Sequence, residues 1–428
     1  MDTLFSMAIF SLLVNYDAIP NGSVLRVLPI ILFLLVGFRD VVKWDSRMFK
    51  PIILPLMLAF LVSFGILTSG WEKSTELYKV FKVLTFLSFI FAFTIQIYRN
   101  INKGALYAFV NTVYKPIILF IVLNIVMYLI GFKGPYDEES IGKTLMLSYF
   151  GISVDRVRFP LVAGINAYGS LIGILLVISF VGWGIIKIYK KTFLYGIIAC
   201  IFTLLLTDSR GPIFYALIIF CLIKFFYAKS KSPRFLWIIP LLGFIGPFIV
   251  IWVLNFLATT SYGASVSRSS EDLLTGNGRL LIWLPAVSEF LTFKSQHIFG
   301  YGEYGHYVSG RSLEWEYIFG SKENSQYVHP HNTILSLTYD NGYVGVVLFT
   351  IIQYYIIRII KKIWNSSRNM AYIFLSNILF FNLVGITETM FGFYYQNVIY
   401  LFFAVNIFAF IIGYYTKKIE REEVALTN

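Results

Sequence analysis

Residues 165–186 read INAYGSLIGILLVISFVGWGII, a run without one Asp, Glu, Lys, Arg or His. A hydrocarbon core of ~30 Å takes ~20 residues of helix, and within lipid a single segment satisfies its own backbone N–H and C=O groups only as a helix. The run therefore predicts a membrane-spanning helix. Comparable apolar runs recur along the chain, giving about twelve spans centred near residues 12, 31, 59, 88, 121, 173, 201, 219, 246, 346, 380 and 402. Composition agrees: 57% of residues are hydrophobic and 14% charged, with a mean hydropathy of +0.72. The expected fold class is an all-α polytopic integral membrane protein. The first apolar segment contains Asp17 and lacks a basic start and a small-residue cleavage site, so no cleavable signal peptide is expected. Cys200 and Cys221 sit inside apolar runs and read as packing residues, not as a disulfide or a metal pair.

The spans divide the chain into residues 1–256 with nine helices, one large extracytoplasmic loop over 257–331, and residues 332–428 with three helices and a tail. Lys and Arg favour cytoplasmic loops. With the amino terminus inside, the even gaps and the tail collect Arg39, Lys43, Arg99, Lys103, Lys187, Lys190, Lys231, Arg368, Lys417 and similar residues, whereas acidic residues outnumber basic ones in the odd gaps. Both termini are therefore expected in the cytoplasm. The net charge of +12 is then a topology signal and gives no reason to expect a nucleic-acid partner.

That topology places Arg156, Arg158, Arg210, Arg279, His329, His331 and Glu388 on the extracytoplasmic face. All four histidines, His297, His306, His329 and His331, fall within the long loop. Gly276-Asn277-Gly278 breaks the chain before an amphipathic helix on which Arg279 and Trp283, four apart, share a face. The glycines of Phe299-Gly300-Tyr301-Gly302 mark a tight turn, and Glu314, Glu316 and Glu323 make the following segment solvent-facing.

Ser209-Arg210-Gly211 at a span boundary, Gly276-Asn277-Gly278-Arg279 with Trp283, Phe299-Gly300-Tyr301-Gly302, and His331-Asn332 with Leu335, Gly342 and Gly345 follow one another in order. Together they resemble the O-antigen polymerase and O-antigen ligase superfamily (Wzy and WaaL). The resemblance spans roughly residues 150 to 350. It implies a GT-C-like glycosyltransferase of the bacterial inner membrane, working on its outer face on undecaprenyl-pyrophosphate-linked oligosaccharides as donor and acceptor. A membrane lipid environment and a chain-length regulator protein are the other partners it implies. The family's earlier arginine precedes an Asn-Pro-Asn element; here Arg156-Val-Arg158-Phe159-Pro160 leads to Gly164-Ile165-Asn166-Ala167, so either Arg156 or Arg158 corresponds to it.

The chemistry asks for such residues independently. A pyrophosphate leaving group needs its charge met, and Arg does this with a planar, permanently charged fork. No Asp-x-Asp pair, the usual mark of a metal-dependent nucleotide-sugar enzyme, occurs in the extracytoplasmic gaps, so neither cofactor nor metal is expected. The acceptor hydroxyl needs a base, and an imidazole with a reference pKa of ~6.5 suits neutral pH. Arg210 and Arg279 are the expected pyrophosphate holders, with His331 the expected base. Arg158, Arg156, Trp283, His329 and Glu388 are the expected substrate-binding residues. A direct displacement implies inversion at the anomeric carbon.

Plainer readings stand beside these. Arg210 could be an interfacial arginine snorkelling to headgroups, His329 a structural neighbour, and Glu388 either the orienter of a base or a turn residue. His297 and His306 read as ordinary surface residues. Lys79, Lys82 and Lys115, in or near apolar runs, are site candidates or snorkelling side chains. A polymerase is the leading functional reading, a ligase transferring the glycan to lipid A core its nearest rival. A lipid-linked oligosaccharide flippase is disfavoured, because no repeated halves are visible.

Overall fold

The computed structural model describes residues 2–16, 19, 22–39, 46–132, 143–162, 164–230, 232–258, 278–319, 325–393 and 396–427. Asp17, Lys43, Lys231, residues 259–277 with Gly276 and Asn277, and Glu323 fall outside that set. Of the described residues 78% are helical, and none lies in a strand.

Nine described helices are long and apolar enough to cross a membrane: Met48–Thr68, Glu76–Ile101, Ala105–Leu129, Ile165–Ile186, Lys190–Thr207, Arg210–Tyr227, Leu236–Val253, Thr333–Ile363 and Val398–Tyr415. The remaining three expected centres also fall in helices, but shorter ones. Thr3–Leu13 has 11 residues, about 16 Å at 1.5 Å per residue, half of a hydrocarbon core. Val24–Phe38 is likewise short. Arg368–Val384 has 17 residues and carries the buried amides Asn377 and Asn382. It is enclosed by neighbouring helices, where amides face protein instead of lipid, and this depresses the apolar signal that defines a span.

The ends of the bundle differ in charge. At one, Asp2 pairs with Arg39 and Arg99, the Tyr98 and Tyr415 rings meet at 5.6 Å, and Lys362 donates to the Gly413 carbonyl. Arg368 donates to the carbonyls of Ala228 and Ser230. This last contact orients two antiparallel helices: where the start of Arg368–Val384 meets the finish of Arg210–Tyr227, Val384 and Arg210 lie together at the opposite end.

The helix Thr333–Ile363 is broken at Gly342, whose φ is +64°. Only glycine adopts that conformation freely, and a Cβ there would meet the Ile298 carbonyl oxygen and the Gly300 nitrogen at 2.4 and 2.5 Å. The break frees helical carbonyls, which the loop then occupies: Tyr301 N–H donates to Tyr339 O at 2.7 Å and Gly302 N–H to Asp340 O at 3.1 Å. A strap over residues 300–305 is thereby sewn to the kink. Glu303 within it forms a buried ion pair with Lys82, so Lys82 does not snorkel. Lys79, equally buried, donates to the Ser69 carbonyl and to Glu76.

The described part of the loop has its own small core of Ile282, Trp283, Ala286, Trp315 and Tyr339. His297 and His306, expected on the surface, are both 0% exposed. The described part of the loop thus has an interior of its own.

Candidate functional site

The helix Arg279–Ser288 starts after Gly278, whose φ of +78° is the left-handed position a helix start after a sharp turn demands. The turn aims Arg279 at the segment between the last two helices: Nη2 donates to Glu388 Oε1 at 2.6 Å and Nε to the Thr387 carbonyl at 2.8 Å. One turn on, Trp283 is 5% exposed and its indole N–H donates to the Pro330 carbonyl at 3.0 Å. The two residues do share a face. Trp283 spends its only polar group on the backbone beside the histidines.

His331 Nδ1 lies 3.2 Å from Glu388 Oε2. With the ring proton on Nδ1 donating to that carboxylate, the Nε2 lone pair is left to take a proton. His331 has a φ of +49°, a conformation few non-glycine residues adopt. Its neighbours hold it there. Asn332 Oδ1 accepts from Leu335 N–H at 2.9 Å, capping the next helix, while Asn332 Nδ2 donates to the Ile386 carbonyl at 3.0 Å. Thr333 Oγ1 donates to the Glu388 carbonyl.

His329 plays a different part. Its Nδ1 accepts the His331 backbone N–H at 3.1 Å and meets the Thr389 hydroxyl at 3.0 Å. Burial, and then a charge on His331, push its pKa well below the usual imidazole range. It is therefore a neutral brace. Burial alone would raise the Glu388 carboxyl, but the Arg279 guanidinium and the His331 hydrogen bond outweigh that and hold it below the ordinary carboxylate range. The result is a hydrogen-bonded chain, Arg279–Glu388–His331, with side chains 15–20% exposed.

A second basic group surrounds the turn after Lys190–Thr207. Asp208 there has a φ of +54°. Val157 N–H donates to the Leu206 carbonyl at 2.9 Å and Arg156 Nε to the Thr207 carbonyl at 3.2 Å, which sets the 156–158 segment against this turn. Arg210 follows directly; it is half-buried and, among the described residues, has no hydrogen bond or ion pair. Both groups lie at the Val384 end of the bundle.

The histidines do not form one site. His329 and His331 are ring neighbours at 4.2 Å, His306 donates to the Tyr327 carbonyl and stacks on Trp315, and His297 belongs to a cluster around Glu289. Among the described residues no three His, Cys, Asp or Glu are grouped to hold a metal ion.

Several positioning groups were not singled out from the sequence. Trp315, fully buried, donates its indole N–H to the Val328 carbonyl at 2.9 Å, and Thr387 and Thr389 flank Glu388. The cue was there in Thr387-Glu388-Thr389, three polar residues between two apolar runs.

No curated protein matches the chain. Residues 195–350, which carry Arg210, Arg279, His329 and His331, match the family model of the O-antigen ligases, and that match supports the O-antigen polymerase and ligase superfamily.

Proposed function

We propose that this protein is a membrane glycosyltransferase that joins undecaprenyl-pyrophosphate-linked oligosaccharide units into a surface polysaccharide. The observation that carries the reading is the Arg279–Glu388–His331 chain, set at the same end of the bundle as Arg210, which has no hydrogen bond or ion pair among the described residues. An acceptor hydroxyl gives its proton to His331 Nε2 while its oxygen bonds to the anomeric carbon of the donor. The glycosidic bond to pyrophosphate breaks on the opposite side, which inverts that carbon. Glu388 stabilises the imidazolium as it forms. Arg210, with Arg156 and Arg158 beside the same turn, binds the departing pyrophosphate bidentately, and Arg279 adds positive charge from the other side.

The site end then faces away from the cytoplasm. The concentration of Arg39, Arg99, Lys362 and Arg368 at the other end supports this. Both termini are cytoplasmic in this reading, in a bacterial inner membrane. A reporter active only outside the cytoplasm, fused after residue 265, is expected to be active; one fused after residue 365 is expected to be silent. The reverse pattern rules out this site for a donor on the outer face.

The family model's description favours a second reading, a ligase that moves the finished glycan to lipid A core. One experiment separates the two: purified protein in nanodiscs receives a lipid-linked repeat unit, with lipid A core as competing acceptor. A ladder of lengthening chains supports the polymerase, a single transfer to the core supports the ligase, and neither product removes the glycosyl-transfer reading.

A further inference from the structure

The strap at residues 300–305 does more than fasten the loop. At its end Tyr304 adopts a φ of +59°, a strained conformation for a non-glycine residue, which persists only where the surroundings enforce it. They do so here: Glu303 N–H donates to the Gly65 carbonyl at 3.1 Å, Gly305 N–H to Asp340 Oδ1 at 3.0 Å, and Lys82 holds the Glu303 carboxylate. The effect is to stack the Tyr304 ring on Trp71 at 4.0 Å between centroids. Tyr327 meets both rings edge-on at 6.1 Å, and Tyr307 meets Tyr327 at 4.6 Å.

These four rings, drawn from three separate stretches of chain, belong to neither hydrophobic core. Each is half-buried. Their rim is polar: the exposed Glu72 accepts from the Tyr307 and Tyr327 hydroxyls at 2.9 and 3.3 Å, and the exposed Lys73 sits 4.6 Å from the Tyr327 ring centre. The cluster adjoins the candidate site along the chain, since Tyr327 lies two residues before His329, and Tyr304 meets His306 at 5.8 Å. Rings that anchor a protein in headgroups work one by one on the lipid-facing surface. These instead pack on one another with the Tyr307 and Tyr327 hydroxyls fixed, a rigid amphipathic wall of the sort that gives large contact area at small entropic cost.

We propose that Trp71, Tyr304, Tyr307 and Tyr327 form a glycan subsite that stacks on the apolar C–H face of a sugar ring while Glu72 and Lys73 bind its hydroxyls. The inference rests on the glycosyl-transfer reading above and names where the saccharide lies relative to His331. It accounts for the strain at Tyr304, which the catalytic residues do not require.

The test uses full-length protein in nanodiscs and a water-soluble oligosaccharide released by mild acid from the producing cell's own surface polysaccharide. Binding, followed by tryptophan fluorescence and calorimetry, needs no turnover. Trp71→Ala should weaken it about tenfold, the worth of one aromatic contact, and Trp71→Phe should weaken it less. Tyr304→Gly removes a ring while giving the backbone the one residue at ease at this φ, so it tests the ring without unfolding the strap; it should also weaken binding. Trp252→Ala, which alters a ring 71% exposed on another helix, should bind as the parent does. In turnover assays Trp71→Ala should raise the acceptor KM about tenfold with much less change in kcat. Parent-like oligosaccharide binding by Trp71→Ala and Tyr304→Gly overturns the subsite and leaves the glycosyl-transfer reading standing. Binding lost in both variants while purified parent forms no glycan product upholds the subsite and removes the transfer reading. Lost affinity of the variants for empty vesicles, with oligosaccharide binding intact, assigns the rings to the membrane interface and overturns the proposal.

Discussion

Two clusters in this molecule share three residue types, a glutamate, an arginine and a histidine. Around Glu289 are Arg311, His297, Lys294 and Tyr301; around Glu388 are Arg279 and His331. Glu289 is fully buried and accepts hydrogen bonds from Arg311, Lys294 and Tyr301 at 2.6 Å, with His297 at 3.2 Å. Although burial raises its pKa, those donors overcome the effect and bring it to about 2. Nothing in it is left over. Glu388 is partly exposed, its histidine is strained, and that histidine keeps one ring nitrogen uncommitted. The same chemistry serves as a clasp where every valence is used and as a site where one is withheld.

The largest effects should therefore come from the Glu388 cluster and appear in turnover. His331→Ala is expected to lower kcat ~100 to 10,000-fold with donor binding nearly unchanged. Arg279→Ala should cost ~100 to 1000-fold, and Arg279→Lys should recover little, because an ammonium cannot reproduce the fork. Near-parent rates for these variants at matched membrane levels would reduce the cluster to a second clasp.

The Glu289 cluster should answer in stability. Glu289→Ala takes the carboxylate from the fully buried His297 and strips Arg311 of a charge, at a cost of about 3 kcal/mol in unfolding measurements, while folded molecules lose less than tenfold in kcat. A catalytic loss as deep as that of His331→Ala, without a stability change, would erase the distinction.

Acid sharpens the comparison with a smaller effect. Burial lowers the His306 pKa from 6.5 to about 4, so the unfolded chain binds a proton there that the folded chain refuses. Its contribution is whole above pH 6.5 and is lost as pH falls toward 4. Glu289 is silent across that window, since its own loss lies between 4.5 and about 2. Melting temperature should drop a few degrees between pH 7 and 5; His329, also held below the usual imidazole range, contributes in the same window, so His306→Gln should make the slope shallower and leave a remainder. A slope unchanged in His306→Gln would show that His306 is not one of the groups that titrate.

The membrane class was legible because lipid demands long apolar helices. What escaped was set by tertiary context. The span expected near residue 380 is present as Arg368–Val384; what escaped there was its shortness and the burial of its amides against protein. Arg279, Trp283 and His331 could be read from spacing and chemistry, and the structure brings them together. The strain at His331 and Tyr304, and the pairing of Lys82 with Glu303, join residues far apart in the chain. Lys82 was visible only as an ionisable group out of place. The burial of His297 and His306 was misread because a loop's interior leaves no periodic trace in so short a stretch.

The break at Gly342 has a mechanical consequence. It divides Thr333–Ile363 into a short upper piece sewn to the strap and a long lower rod that meets the lipid tails. Bilayers of different thickness act on such rods by changing their tilt, and a rod jointed at Gly342 can tilt without carrying His331 along. Turnover in short- and long-chain lipids should thus differ by less than about threefold, whereas Gly342→Ala, whose Cβ has no room beside the Ile298 carbonyl, should pull the strap off the kink and lower the rate at every membrane thickness.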